Sequence, residues 1–266
     1  MRGANVRPEI IRTEGVTKRF GGVVAVNNID YVLYENEIAG ILGSNGAGKS
    51  VFFNLLTGYY RPDEGSIRYQ GADVTRLNPQ ERVARGMTRT FQLTSAFDNL
   101  TVVDNLVLSL FRAQAKPSLL RLFLTSRKGC REEAKIAETL DTFDLDDVRD
   151  REVKTLSLGE KRRLEIAMAV LVEPKVLLLD EPLAGLAESE IQRVLDALRR
   201  RVGRLTILIV EHKLTHVQDF LERIIVMHEG RVIAEGGCEE CLRHPEVRRS
   251  YWQIEVPADE REAAVS

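Results

Sequence analysis

The chain has 266 residues, 44% of them hydrophobic, and 38 basic against 40 acidic side chains leave a formal charge of −2. That balance supplies no global basic field to draw the chain onto nucleic acid or anionic lipid, and the length suits one core with an inserted subdomain. Three cysteines in so long a chain argue against a disulfide scaffold and for a reducing compartment. The most lipid-like stretch, Leu119–Leu124, is short and carries Arg121, so no membrane span is expected. Met1–Ile10 is charged without an apolar run, so no secretory signal is expected either.

In chain order, residues 1–9 read as an extension. Ile10–Gly15 and Ala25–Leu33 are rich in β-formers and flank the bend Phe20-Gly21-Gly22, which predicts two strands of one sheet. Ile38–Leu42 is an apolar strand, and Val51–Leu56 is a helix. The turn Arg61–Gly65 leads to a strand at Ser66–Tyr69, and Asn78 is placed to cap a helix over Pro79–Arg85. From about residue 93 to 150 the texture becomes helical, with Leu100–Arg112 and Cys130–Phe143 periodic, which predicts an inserted helical subdomain. Helices at Gly159–Val172 and Glu188–Val202 then alternate with the apolar strands Val176–Leu179 and Thr206–Val210. Apolar runs without alternation, separated by helices, are the mark of a parallel sheet buried on both faces. Arg223–His228 and Arg231–Glu235 form a hairpin, Pro245–Trp252 a last helix, and residues 256–266 a polar tail expected to be disordered.

Between the Ile38 strand and the Val51 helix lies Gly43-Ser44-Asn45-Gly46-Ala47-Gly48-Lys49-Ser50, which fits G-x-x-x-x-G-K-[ST]. Three glycines let the backbone curl so that its N–H groups converge on an anion, and the helix that follows adds its positive dipole end. Lys49 would reach the terminal phosphates, and the Ser50 hydroxyl would hold a magnesium ion. Further on, Asp180 and Glu181 stand at the C-terminal end of the Val176 strand, the end at which parallel sheets bind ligands. Asp180 suits Mg²⁺ held through water, and Glu181 suits a base for an attacking water. Ser157-Leu158-Gly159-Glu160 opens a helix and reads equally as an ordinary serine cap or as a second anion-binding terminus.

Gln92 after Thr88-Arg89-Thr90-Phe91, and His212 after the Thr206 strand, complete a set that resembles the ATP-binding subunits of ABC transporters over about Ile11 to Trp252. The segments Lys18–Ala25, Arg89–Gln92, Arg163–Ala167 and Val210–His212 look most like the branched-chain amino acid importers, and Glu181–Leu186 is similar to the related urea and amide importers. The resemblance implies an α/β P-loop ATPase of ABC type over residues 10–255: a mostly parallel core sheet, an N-terminal antiparallel β-subdomain and the helical insertion. It implies ATP and Mg²⁺ as cofactors, with phosphate contacts from Gly43 to Val51, Mg²⁺ near Ser50, Gln92 and Asp180, Phe20 stacked on adenine, Glu181 as base and His212 as γ-phosphate sensor. Family members pair head to tail, so Ser157, Leu158, Gly159 and Glu160 would serve the ATP of a second subunit, identical or a sister. ATP would close that pair, and the movement would drive permease subunits at the inner face of the cell membrane, without insertion of this chain. A soluble non-transport ABC ATPase, or an ATP-binding regulatory module, is the alternative.

Two positions depart from the family's pattern. Val51 has no hydroxyl to donate to an α-phosphate, and Ala187 stands where many members carry an aspartate that links the two sites. Cys238-Glu239-Glu240-Cys241-Leu242-Arg243-His244 offers three zinc ligands but no fourth nearby, and His212 and His216 stand at i,i+4 without an adjacent carboxylate. Both read as structural, and Arg199-Arg200-Arg201 reads as a solvated helix end.

Overall fold

The computed structural model describes residues 7–90, 96–113, 126–211 and 216–252. Two compact units divide the chain: Met1–Arg82 with Leu179–Glu181 and Gly203–Ser266, and Val83–Leu178 with Pro182–Val202.

The first unit holds two sheets. Glu9–Phe20 (β1) and Val23–Tyr34 (β2) pair antiparallel up to the closing pair Phe20–Val23, and Glu64–Tyr69 (β4) and Ala72–Asp73 (β5) extend the sheet in the order β2-β1-β4-β5. Register shifts between Thr13 and Val16 and between Val16 and Lys18 break the strict alternation of sides. That is why the sequence pattern stops the first strand at Gly15, five residues before the observed end. In the second sheet Ile38–Gly43 (β3) lies parallel between Thr206–Val210 (β8) and Arg223–His228 (β9). β3 and β8 are buried along their whole length, as runs without alternation require. β9 turns through Glu229-Gly230, both at positive φ, into the antiparallel Arg231–Gly236 (β10), the geometry of a tight hairpin.

Lys49–Leu56 (α1) buries Phe52, Phe53, Leu55 and Leu56, and the Phe52 ring meets Tyr31 of β2 edge to face at 6.0 Å. The far end of α1 is closed by a residue from a distant helix. Arg82 in Pro79–Val83 (α2) is 1% exposed and donates to the carbonyls of Leu55, Leu56 and Val74 at 2.6–2.8 Å. Leu55 and Leu56 stand at the last turn of α1, where the Leu55 carbonyl also accepts from the Gly58 N–H at 3.2 Å, and the buried guanidinium adds hydrogen bonds and a positive charge at the helix C-terminus. Burial pulls the Arg82 group down to about 10. Asn78 caps α2 as expected, in a reciprocal box with Glu81, although the helix ends at Val83.

In the second unit Met87–Arg89 (β6) pairs parallel with Val176–Asp180 (β7), a strand whose last residues belong to the first unit. Val102–Ala113 (α3), Ser126–Thr142 (α4), Leu158–Leu171 (α5) and Glu188–Arg199 (α6) are its helices. Ser109 of α3 donates to the Met168 carbonyl of α5 at 2.9 Å, a buried tie between the two helices. The arginine run is more engaged than a solvated end: Arg200 pairs with Asp141 at 3.8 Å and Arg201 with Glu138 at 3.3 Å, both carboxylates being on α4. Arg193 reaches Asp144 at 3.0 Å. The surface pairs of Arg200 and Arg201 link the arginine run to α4, each worth about 1 kcal/mol or less, and the link is invisible in the sequence because the carboxylates lie some sixty residues earlier in the chain. Residues 253–266, including the expected polar tail, lie outside the described residues, and no described helix is long and apolar enough to cross a membrane.

Candidate functional site

The loop after β3 bends as its glycines allow. Gly43, Gly46 and Gly48 all have positive φ, at 151°, 82° and 96°. Gly43 and Gly48 are both tightly constrained: a Cβ would stand 2.3 Å from the Met227 carbonyl oxygen at Gly43 and 2.3 Å from the Ala25 carbonyl oxygen of β2 at Gly48. Gly48 also fixes the start of α1. It is the N-cap of α1 and brings no side-chain acceptor, so the N–H groups of the helix's first turn have none from the cap. The Gly230 N–H donates to the Ala47 carbonyl at 3.0 Å, which fastens the loop to the β9–β10 turn. Together with Ala25 and Glu181, residues 45–51 line a pocket of ≈ 380 Å³.

Lys49 is 4% exposed and donates to the carbonyls of Gly43 and Ser44 at 2.7 and 3.0 Å. Burial lowers its pKa below the usual lysine value, against the opposing pull of Glu181 and Asp180. The Ser50 side chain is exposed and Val51 half-buried, both facing the pocket. Asp180, the last residue of β7, and Glu181 are half-buried. Glu181 sits at φ 46°, a left-handed conformation that costs a non-glycine residue about 1–2 kcal/mol. Its N–H donates to the Val210 carbonyl of β8 at 2.9 Å, and that bond holds the turn. This left-handed residue directly after β7 lines the same pocket as the loop 45–51.

In the second unit Ser157 caps α5. Its hydroxyl accepts from the Glu160 N–H at 3.2 Å, and the Glu160 carboxylate accepts from the Ser157 N–H at 2.6 Å. Ser157 and Leu158 are exposed, whereas Gly159 is buried under the Glu190 carboxylate, 1.9 Å from where a Cβ would stand. Glu190 in turn accepts from the N–H of Ala187, the cap residue of α6, at 3.0 Å.

The family model described as ABC transporter matches residues 26–184, a span that runs from β2 past Glu181. The chain belongs to the ABC transporter family. The branched-chain amino acid transport ATP-binding protein BraF of Pseudomonas aeruginosa is 36% identical over 248 residues, 91% of this chain and 97% of the relative. The branched-chain amino acid transport ATP-binding protein LivG of Escherichia coli is likewise 36% identical over 248 residues, and the probable LivG of Archaeoglobus fulgidus is 34% identical over 252 residues. Among solved structures, a nucleotide-free ATP-binding cassette of an ABC transporter is 31% identical with a TM-score of 0.78, covering 93% of this chain and all of its own. The ADP conformation of another such cassette is 32% identical with a TM-score of 0.79, covering 92% and 99%. The fold expected from the resemblance is thus the fold of this ABC ATPase, with its parallel strands, its antiparallel sheet and its helices.

Of the residues expected in the cassette's site, the loop from Asn45 to Val51 and Glu181 share one pocket, and Asp180 interacts with Lys49 electrostatically. Gln92 and His212 lie outside the described residues. Phe20 is at the β1–β2 tip and 43% exposed. Cys238–Arg243 (α7) is a helix, and the expected helix Pro245–Trp252 (α8) follows. Cys241 is buried, and burial pushes its thiol up to about 11. Among the described residues no three His, Cys, Asp or Glu side chains are grouped to hold a metal. The residues that sequence reasoning passed over are Arg82, Glu190 and Tyr60. Each acts on an element distant in the chain, and only the capping spacing from Ala187 to Glu190 left a trace in the sequence.

Proposed function

We propose that this ABC ATPase is the ATP-hydrolysing subunit of an importer for branched-chain amino acids or a similar small polar solute. The observation that carries the proposal is the single pocket formed by the phosphate loop, Lys49 and Glu181. In this reading backbone N–H groups of residues 46–51 hold the β- and γ-phosphates, and Lys49 exchanges its carbonyl partners for phosphate oxygens. Glu181 accepts a proton from the attacking water, a contribution on the order of 10²–10⁴-fold. Gln92 and His212 are assigned alongside it, on the family resemblance alone.

The oxygen donors Ser50 and Asp180 suit Mg²⁺, a hard cation that keeps several waters. The ion would neutralise charge developing on the phosphates. Ser157–Glu160 serves the nucleotide of a second copy or sister subunit, so ATP favours the closed pair because only that state supplies both sets of donors. Permease subunits couple closure to transport at the cytoplasmic face of the membrane. What supports the importer reading over a soluble ABC ATPase is the likeness to BraF and LivG along nearly their full length.

The test is steady-state ATP hydrolysis by the purified chain and its Glu181→Gln variant. The variant is expected to bind ATP with unchanged affinity and to turn over at least 10²-fold more slowly. A variant as active as wild type removes Glu181 from its role. Co-purification of a multi-span membrane protein separates the importer from a soluble ATPase.

A further inference from the structure

We infer that Tyr60 is a positioning residue for the nucleobase: it holds Phe20 at the distance and angle from the phosphate loop at which an adenine ring can stack. The inference rests on the reading of Phe20 as the stacking residue and goes beyond it.

Phe20 ends β1 and pairs with Val23, and two residues further along β2 comes Ala25, which lines the phosphate pocket and touches Gly48. At about 3.3 Å per residue, the platform stands some 7 Å along the strand from the pocket wall. A hairpin tip of that kind swings unless something holds it, and here the segment after α1 does. The Tyr60 ring meets Phe20 at 5.2 Å between centroids and 71° between planes, an edge-to-face pair. The Tyr60 N–H donates to the Asn54 carbonyl of α1 at 3.1 Å, so the ring that holds the platform is bonded to the helix that Lys49 opens.

A polar clamp reinforces the contact. Asp63 accepts from the Lys18 ammonium at 2.9 Å and from the Arg19 N–H at 2.6 Å, while its own N–H donates to the Thr17 carbonyl at 2.8 Å. Lys18 lies 5.5 Å from the Phe20 centroid, within cation–π range. Lys18 and Tyr60 thus restrain a ring that stays 43% exposed, with Tyr60 itself 38% exposed. Arg82, closing the last turn of α1, keeps the base of this connection rigid. Platform and phosphate cradle are therefore joined twice, through β2 and through α1–Tyr60, which fixes the spacing between the base and the phosphates.

The test compares binding of ATP and of inorganic tripolyphosphate, each with Mg²⁺, by calorimetry on wild type, Tyr60→Ala, Tyr60→Phe and Phe20→Ala. Tyr60→Ala is expected to weaken ATP about three- to tenfold, the worth of one aromatic pair, and to leave tripolyphosphate unchanged. Tyr60→Phe keeps the ring and is expected to restore ATP affinity. Equal weakening of both ligands would mean a general loss of structure and would overturn the inference. Weakening by Phe20→Ala with none by Tyr60→Ala overturns the inference alone, whereas a neutral Phe20→Ala overturns the stacking reading beneath it.

Discussion

Two helix N-termini in this ATPase carry glycine-containing motifs, and they are built in opposite ways. At α1 the cap residue is Gly48, without a side-chain acceptor, and the neighbouring Lys49 is parked on loop carbonyls. At α5 the cap is Ser157, and its reciprocal box with Glu160 already occupies one donor of the first turn and the serine hydroxyl's acceptor side. The first terminus receives no side-chain acceptor from its cap residue, the arrangement that suits an anion. The second is stable by itself, and its serine hydroxyl retains a proton to donate. An arrangement of that kind suits a segment that must fold without nucleotide and meet the nucleotide of another subunit.

The sharpest way to break this comparison is to add a methyl group at each glycine. Gly48→Ala forces a left-handed backbone and a Cβ 2.3 Å from the Ala25 carbonyl, backbone against backbone. It is expected to cost about 2–5 kcal/mol and to abolish ATP binding, read from urea unfolding and calorimetry. Gly159→Ala meets the flexible Glu190 side chain, from its carboxylate oxygen at 1.9 Å to its Cγ at 3.0 Å, which can rotate away at the loss of its bond to the Ala187 N–H. It is expected to change stability by about 1 kcal/mol or less while lowering ATP hydrolysis by the pair. Equal losses of stability at the two sites would show that the termini do not differ as described.

A second test uses the charge of Lys49. Burial lowers its pKa from the ordinary 10.5 in the nucleotide-free protein, and a bound polyphosphate raises it again. Binding therefore takes up a proton once the pH passes the lowered value, and affinity is highest below that value and falls as the pH rises through it. Calorimetry between pH 7.5 and about 10.5, in buffers of different ionisation heat, is expected to show proton uptake growing with pH. Proton release, or none, would mean that Lys49 does not exchange its carbonyls for phosphate. Nothing comparable is expected from the α5 terminus, where no lysine is buried.

Smaller effects come from the caps. Ser157→Ala is expected to lower stability by about 1 kcal/mol. Ala187→Asp completes a box that Glu190 now half supplies, and an increase of about 0.5–1 kcal/mol is expected in the same unfolding assay. The same variant tests site coupling, because a Hill coefficient for ATP hydrolysis equal to wild type would remove any effect of the missing aspartate.

Sequence and tertiary structure contributed different things. The loop Gly43–Ser50, the strands β3, β7 and β8 and the carboxylates at the end of β7 were legible because each rests on local chemistry: turn residues, a strand-length apolar run, a helix start. The sequence by itself therefore determined the fold class and the loop that lines the pocket. It could not show that Glu181 adopts a left-handed backbone, since that depends on the Val210 carbonyl of a neighbouring strand. Nor could it show Arg82 closing α1, Arg200 and Arg201 reaching α4, or Tyr60 against Phe20. Each of those is a contact between residues far apart in the chain, made by side chains long enough to cross the gap, and no local pattern records where such a side chain ends.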